Sequence, residues 1–210
     1  MGVTAIIPAY NEEKYVSNVL KVLKQVEQIK QIIVVSDGSI DDTVQEALSW
    51  NVQVVALREN VGKGGALTIG LKYALENIVL LLDADLIGLT KQHIQDLIKP
   101  VLAGQVEMTV GIFANGRLAT DMAQFISPYL SGQRCLKKKW LLQINSLAVS
   151  GFGVETVLNQ FAQQHKLPTV IVHLPNLSHV MKEEKLGLVR GFAYRMKMYW
   201  EIAKNLRLGG

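Results

Sequence analysis

Five short runs of Val, Ile and Leu, separated by longer amphipathic segments, constrain this chain more than any other feature. The runs fall at residues 3–7, 32–35, 52–57, 78–82 and 108–113. Between them, residues 15–26 carry Val16, Val19, Leu20, Leu23 and Val26 on one helical stripe. Residues 44–50, 65–75 and 91–102 read as further helices, the first of them capped by Asp42 and Thr43. Strands that are almost purely aliphatic are buried on both faces, so helices must lie above and below them. Strand–helix alternation of this kind predicts an α/β fold with a mostly parallel, doubly wound sheet. The second half is less regular. Residues 118–130 and 136–147 read as helical or partly extended, 154–165 as a helix after a Gly-rich turn, 169–173 as a strand and 188–206 as a helix.

Composition removes several classes. With 49% hydrophobic and 19% charged residues in 210, the chain is neither disordered nor a collagen-like repeat. Its one cysteine, Cys135, excludes an intrachain disulfide framework and a Cys-cluster zinc site. A membrane-spanning helix needs roughly 20 mostly apolar residues, and the run 78–82 stops at Asp83. The first residues show no basic region and no signal-like apolar stretch, so a cytoplasmic location is expected. The net charge of +4 is concentrated in Arg134, Lys137, Lys138 and Lys139 and in a tail with Arg190, Arg195, Lys197, Lys204 and Arg207. Such local excess suits phosphate-bearing small molecules or an anionic membrane surface. No nucleic-acid motif accompanies it.

Four polar clusters follow the apolar runs: Pro8-Ala9-Tyr10-Asn11-Glu12-Glu13, Ser36-Asp37-Gly38-Ser39, residues 60–66, and Asp83-Ala84-Asp85. In a parallel sheet they gather along the carboxyl edge, where ligands of open α/β sheets bind. Residues two apart in an extended stretch point the same way, so Asp83 and Asp85 can face one ligand. Hard carboxylate oxygens suit Mg²⁺ or Mn²⁺, with water and phosphate completing the shell. The glycines of Asn60-Val61-Gly62-Lys63-Gly64-Gly65 open a helix, whose N-terminus favours negative charge. Lys63 adds a mobile cation. The order differs from a P-loop. Each cluster alone is also what ordinary strand ends and solvated turns look like.

In this order and spacing, the four clusters resemble a family-2-type glycosyltransferase of the GT-A fold, over roughly the first 115 residues. The resemblance implies a nucleoside-diphosphate sugar donor and a divalent metal, Mg²⁺ or Mn²⁺. It puts Pro8, Ala9, Tyr10, Glu12 and Asp37 at the nucleoside, Asp83 at the ribose, Asp85 on the metal and Lys63 near the diphosphate. The second half, with Asn115-Gly116-Arg117, Thr120, Tyr129-Leu130-Ser131-Gly132, Gly151-Phe152-Gly153-Val154-Glu155 and His179, is similar to the glucosyl-3-phosphoglycerate synthase branch. That branch retains anomeric configuration. The resemblance then implies Gly116, Arg117 and Thr120 for the acceptor phosphate, Glu155 beside the sugar and His179 on the metal. Lys63, Asp85 and Glu155 form the implied catalytic set. The chain departs from the branch at Gln133-Arg134, where the branch carries an acid.

A single GT-A domain over 1–210 is therefore expected, with a donor half at 1–115, an acceptor half at 116–187 and a basic amphipathic helix at 188–210. The acceptor is a small phosphorylated molecule such as 3-phosphoglycerate or, in the wider family, a lipid phosphate. Other readings of the residues are a nucleotidyltransferase and a non-catalytic sugar-nucleotide-binding protein. Leu188, Phe192, Tyr199, Ile202 and Leu206 form an apolar stripe among basic residues. It either packs on the sheet or lies peripherally on an anionic membrane. A homodimer is an assembly that this reading admits.

Overall fold

The computed structural model of the 210-residue chain describes residues 1–113, 131–144, 147 and 153–180. They form strands β1 (Val3–Ala9), β2 (Ile29–Ser36), β3 (Gln53–Ala56), β4 (Ile78–Leu81), β5 (Leu86–Ile87), β6 (Met108–Phe113), β7 (Arg134–Lys137), β8 (Thr169–Leu174) and β9 (Ser178–His179). The helices are α1 (Val16–Leu23), α2 (Thr43–Ser49), α3 (Gly62–Tyr73), α4 (Lys91–Leu102), α5 (Lys138–Leu141) and α6 (Val154–Gln164). Contacts divide the chain into a compact unit of residues 1–178 and a second of 179–210. In the second, only His179 and Val180 are described. The stretches 118–130 and 188–206, and the acceptor residues Gly116, Arg117 and Thr120, lie outside the described residues.

Seven strands form one sheet in the order β3-β2-β1-β4-β7-β6-β8, and a separate ribbon joins β5 and β9. Neighbours pair in parallel except at β7, which runs antiparallel to both β4 and β6. The aliphatic runs are double-sided as their composition requires. Val3, Ala5 and Ile7 of β1 enter one core with Val34 of β2, Leu80 of β4, Leu20 of α1, Ala47 of α2 and Leu97 of α4. Ile6, Ile33 and Val79 enter the other with Leu67 of α3, Leu141 of α5 and Leu158 of α6. Helices thus cover both faces, and the sheet is doubly wound.

One local expectation is corrected. Asp42 stands at the N-cap of α2 but makes no side-chain capping bond. Asp41 does that work, its Oδ1 accepting from Thr43 N at 3.1 Å and from Thr43 Oγ1 at 2.5 Å. Burial alone would raise the Asp41 pKa, but these bonds and that from Glu13 N hold it lowered. In the undecided stretch 136–147, residues 136 and 137 end β7 and Lys138–Leu141 form the short helix α5, so both an extended and a helical part are present. Cys135 is buried in β7, and burial pushes its thiol pKa up, which makes it inert.

Candidate active site

The carboxyl ends of β1, β2 and β4 lie side by side because the three strands pair in parallel register. Residues 10–13 leave β1 and are stitched to the segment that leaves β2. Asn11 N donates to Ser39 Oγ (3.1 Å), Ile40 N to Asn11 Oδ1 (3.0 Å), Glu12 N to Thr43 Oγ1 (2.7 Å) and Glu13 N to Asp41 Oδ2 (3.2 Å). Asn11 takes a positive φ of 56°, a conformation that Asn tolerates better than most residues. Of the residues expected at the nucleoside, Ala9 and Asp37 are buried, Pro8 and Glu12 half-buried and Tyr10 exposed.

Asp37 has structural work at this edge. Its backbone N donates to Ala9 O at 2.8 Å. Its Oδ1 accepts from Val61 N at 2.7 Å and its carbonyl from Asn60 Nδ2 at 3.1 Å. The end of β2 is thereby tied to the turn that opens α3. Gly38 permits the approach: its φ is +72°, and a Cβ there would meet Asn60 N at 2.7 Å.

Lys63, on the first turn of α3, is not the mobile cation expected. Its Nζ lies 2.6 Å from Asp83 Oδ1, past the end of β4, and 2.6 Å from Glu155 Oε1, on the first turn of α6. Asp83 Oδ2 accepts from Gln133 Nε2 at 3.1 Å. Burial alone would lower the Lys63 pKa, but the two carboxylates override it and hold the ammonium charged well above its ordinary value. Three segments far apart in sequence thus converge, each bringing a residue expected at the site: Lys63, Asp83 and Glu155. Gly132 closes the group from a fourth: a Cβ on it would meet Lys63 Nζ and Asp83 Oδ2, each at 2.6 Å.

The basic cluster at 134–139 is divided by the antiparallel course of β7. Arg134 pairs with Leu81 at the carboxyl end of β4, and Lys137 with Ile78 at its amino end. The three lysines therefore lie at the edge opposite the site, and only Arg134 of this cluster stands at the carboxyl edge. Lys137 Nζ reaches Glu107 Oε1 at 2.5 Å, Lys139 reaches Glu107 Oε2 at 3.4 Å, and Lys138 donates to Ala74 O at 3.0 Å. Lys139 also sits 4.5 Å from the centre of the Trp140 ring. Arg134 stays at the site, fully buried. Its environment, and that of Gln133, were not foreseen. The available signal was the polar pair Gln133-Arg134 at the very start of a buried strand.

Asp85 is half-buried just beyond Asp83, before β5. Among the described residues no group of three His, Cys, Asp or Glu side chains can hold a metal ion. Mg²⁺ and Mn²⁺ do not require one, because they commonly use one or two protein carboxylates and fill the shell with water and substrate phosphates. A hard oxygen donor beside a charged group that attracts phosphate fits such an ion. Both oxygens of Asp83 are engaged, Oδ1 by Lys63 and Oδ2 by Gln133. His179 belongs to the second compact unit and is exposed. His93 is buried and serves α4, its Nδ1 accepting from Thr90 N at 3.3 Å within a reciprocal cap. Burial lowers its pKa and keeps it neutral.

Comparisons with known proteins bear on the family and the fold. The model for the glycosyl transferase family 2 matches residues 4–152. The uncharacterized protein MJ1222 of Methanocaldococcus jannaschii is 40% identical over 113 residues, covering 50% of this chain and 44% of that protein. The 4,4'-diaponeurosporenoate glycosyltransferase of Staphylococcus aureus is 35% identical over 102 residues, covering 46% of this chain and 27% of its own. The chain thus spans less than half the length of these curated relatives. Among solved structures, glucosyl-3-phosphoglycerate synthase of Mycobacterium tuberculosis with Mn²⁺ and UDP-glucose superposes with a TM-score of 0.70 at 24% identity, covering 85% of this chain and 71% of that one. The same enzyme with Mn²⁺, UDP and glucosyl-3-phosphoglycerate gives a TM-score of 0.68 at 25% identity, with 85% and 72% covered. These likenesses establish a GT-A fold, and with the family match over most of the chain they identify it: the chain belongs to glycosyltransferase family 2.

Proposed function

We propose that this chain transfers a sugar from a nucleoside-diphosphate sugar to an acceptor at the carboxyl edge of its sheet, using Mg²⁺ or Mn²⁺. The observation that carries this reading is the convergence of Asp83 and Glu155 on Lys63 at 2.6 Å contacts, with Asp85 two residues on from Asp83 in the chain. Pro8, Ala9, Tyr10, Glu12 and Asp37 line the nucleoside end, and Asp83 serves the ribose. Asp85 holds the metal together with the diphosphate, and His179 is assigned to the same ion. The chemistry that a bound divalent cation supplies is neutralisation of the charge growing on the departing diphosphate. Lys63 contributes in the same sense from the N-terminus of α3, where backbone N–H groups also favour an anion. Glu155 faces the sugar and holds Lys63 in place.

For the acceptor, the reading is a small phosphorylated molecule such as 3-phosphoglycerate, bound through Gly116, Arg117 and Thr120, with retention. It is supported by the likeness to a synthase solved with Mn²⁺, UDP-glucose and phosphoglyceric acid. A second reading, transfer to a lipid-like or lipid-phosphate acceptor at a membrane surface, is supported by the relative named for 4,4'-diaponeurosporenoate. No helix among the described residues is long and apolar enough to cross a membrane. Incubation with Mn²⁺ and a panel of UDP-, GDP- and dTDP-sugars tests the donor through release of nucleoside diphosphate. Adding 3-phosphoglycerate in one arm and polyprenyl phosphate vesicles in another separates the acceptors. Release of pyrophosphate from a nucleoside triphosphate and a sugar phosphate would instead make the chain a nucleotidyltransferase.

A further inference from the structure

Arg134 opens β7 at the level of the last residue of β4, with its side chain fully buried. A guanidinium without water must find protein acceptors for its donors. Its Nε donates to Ser131 O at 3.0 Å, its Nη1 to Asn159 Oδ1 at 2.7 Å and its Nη2 to Glu155 O at 3.4 Å. One side chain therefore joins the loop before β7 to the first and second turns of α6. Both ends of that tie carry residues of the site. Gly132, next to Ser131, abuts Lys63 and Asp83, and Glu155 holds Lys63.

This tie has a structural cost that a packed Leu or Met would avoid. Burial pulls the Arg134 pKa down to about 10, and attraction to Glu155 offsets that only in part. Asn159 must turn its oxygen toward the guanidinium, which leaves its buried Nδ2 without a hydrogen-bond partner among the described residues. A buried charge and an orphaned amide, both adjoining one site, are features that stability alone does not explain.

We propose that Arg134 is a positioning residue, whose guanidinium clamps the Ser131–Gly132 loop to the start of α6 and thereby keeps Glu155 on Lys63. Its effect on turnover rests on the glycosyl-transfer reading above; its effect on geometry does not. Two crystal structures and one kinetic cycle test it.

In Arg134→Met, Glu155 Oε1 is expected to move beyond 4 Å from Lys63 Nζ; retention of the present contact overturns the proposal. With UDP-glucose and Mn²⁺, Arg134→Met is expected to lower kcat at least about tenfold while leaving KM and Mn²⁺-dependent UDP binding within about threefold, the pattern of a lost transition-state interaction. Added to Glu155→Gln, it is expected to lower kcat no further, because the two act as one unit. Multiplying losses overturn the proposal. Arg134→Lys keeps the charge but not the fork, and is expected to restore part of the lost rate. If Arg134→Met fails to fold, Asn159→Leu removes one acceptor and leaves the guanidinium. It is expected to loosen the Glu155–Lys63 contact in the second structure, and an unchanged contact with unchanged kcat overturns the proposal. Absence of sugar-nucleotide binding and turnover by the unaltered chain defeats the functional reading, and the crystallographic arm still decides the positioning.

Discussion

Lys63 Nζ lies 2.6 Å from Glu155 Oε1, although the two residues are 92 positions apart. The contact joins the first turn of α3 to the first turn of α6, helices on the same face of the sheet. Both N-termini present backbone N–H groups toward the carboxyl edge. An anion at that edge would meet the Lys63 side chain already ordered by two carboxylates. That ordering removes conformational freedom before a ligand arrives, so less is lost on binding.

Lys63→Met tests how much of the site depends on this cation. The variant is expected to lower turnover on the order of 10²-fold or more, the scale seen when one preorganised electrostatic group is removed. It is also expected to weaken Mn²⁺-dependent UDP binding, measured by calorimetry. Turnover within about twofold of the unaltered chain would show that Lys63 serves only to pair Asp83 and Glu155.

Gly132→Ala introduces a methyl group where the structure leaves room for none, 2.6 Å from both Lys63 Nζ and Asp83 Oδ2. Either the flexible Lys63 head gives way or the loop shifts. Stability is expected to fall by about 1–3 kcal/mol, as for other overpacked sites, and turnover by more than the stability loss explains. Urea midpoints and steady-state kinetics on the same sample separate the two effects.

The parallel half of the sheet is legible because β1, β2 and β4 are aliphatic on both faces, and such runs have few other homes. The strand-end acids are legible for the same reason, since each interrupts an apolar run. β7 is not. Its four residues, Arg134 to Lys137, have charged ends and no alternation to read. Its direction is set by pairing with β4, more than 50 residues earlier, and periodicity reports only local structure. In sequence alone Arg134 and the lysines stand as one basic cluster, whereas the antiparallel strand carries them to opposite edges. Glu155 stood out only by resemblance, because an acid on a first helical turn is equally explained by the helix dipole.

Asp85→Ala is expected to abolish metal-dependent turnover while leaving the fold intact. The residue lies past the core of β4, so the stability change is expected within about 0.5 kcal/mol. Turnover that persists at saturating Mn²⁺ would remove Asp85 from the metal. His179→Ala is expected to raise the Mn²⁺ concentration needed for half-maximal rate, about tenfold or more if a ligand is lost. An unaltered titration would return His179 to an ordinary surface role.

The last prediction concerns stability in acid and the edge opposite the site. Glu107 accepts from Lys137 Nζ at 2.5 Å and from Trp140 Nε1 at 2.6 Å, with Lys139 nearby at 3.4 Å. Burial alone would raise its pKa, but these bonds and charges hold it lowered. A carboxyl whose folded pKa is depressed stabilises the protein above its unfolded value, about 4.3. That stabilisation is lost as pH falls through the depressed folded value. Glu107→Gln keeps an acceptor for Trp140 but removes the charge. At pH 7 the variant is expected to be less stable than the unaltered chain, and below about pH 4 the difference is expected to shrink toward zero as the native carboxyl takes up its proton. Thermal melts from pH 3 to 7 measure this, and a stability difference independent of pH would show that Glu107 acts there by hydrogen bonding and packing rather than by charge.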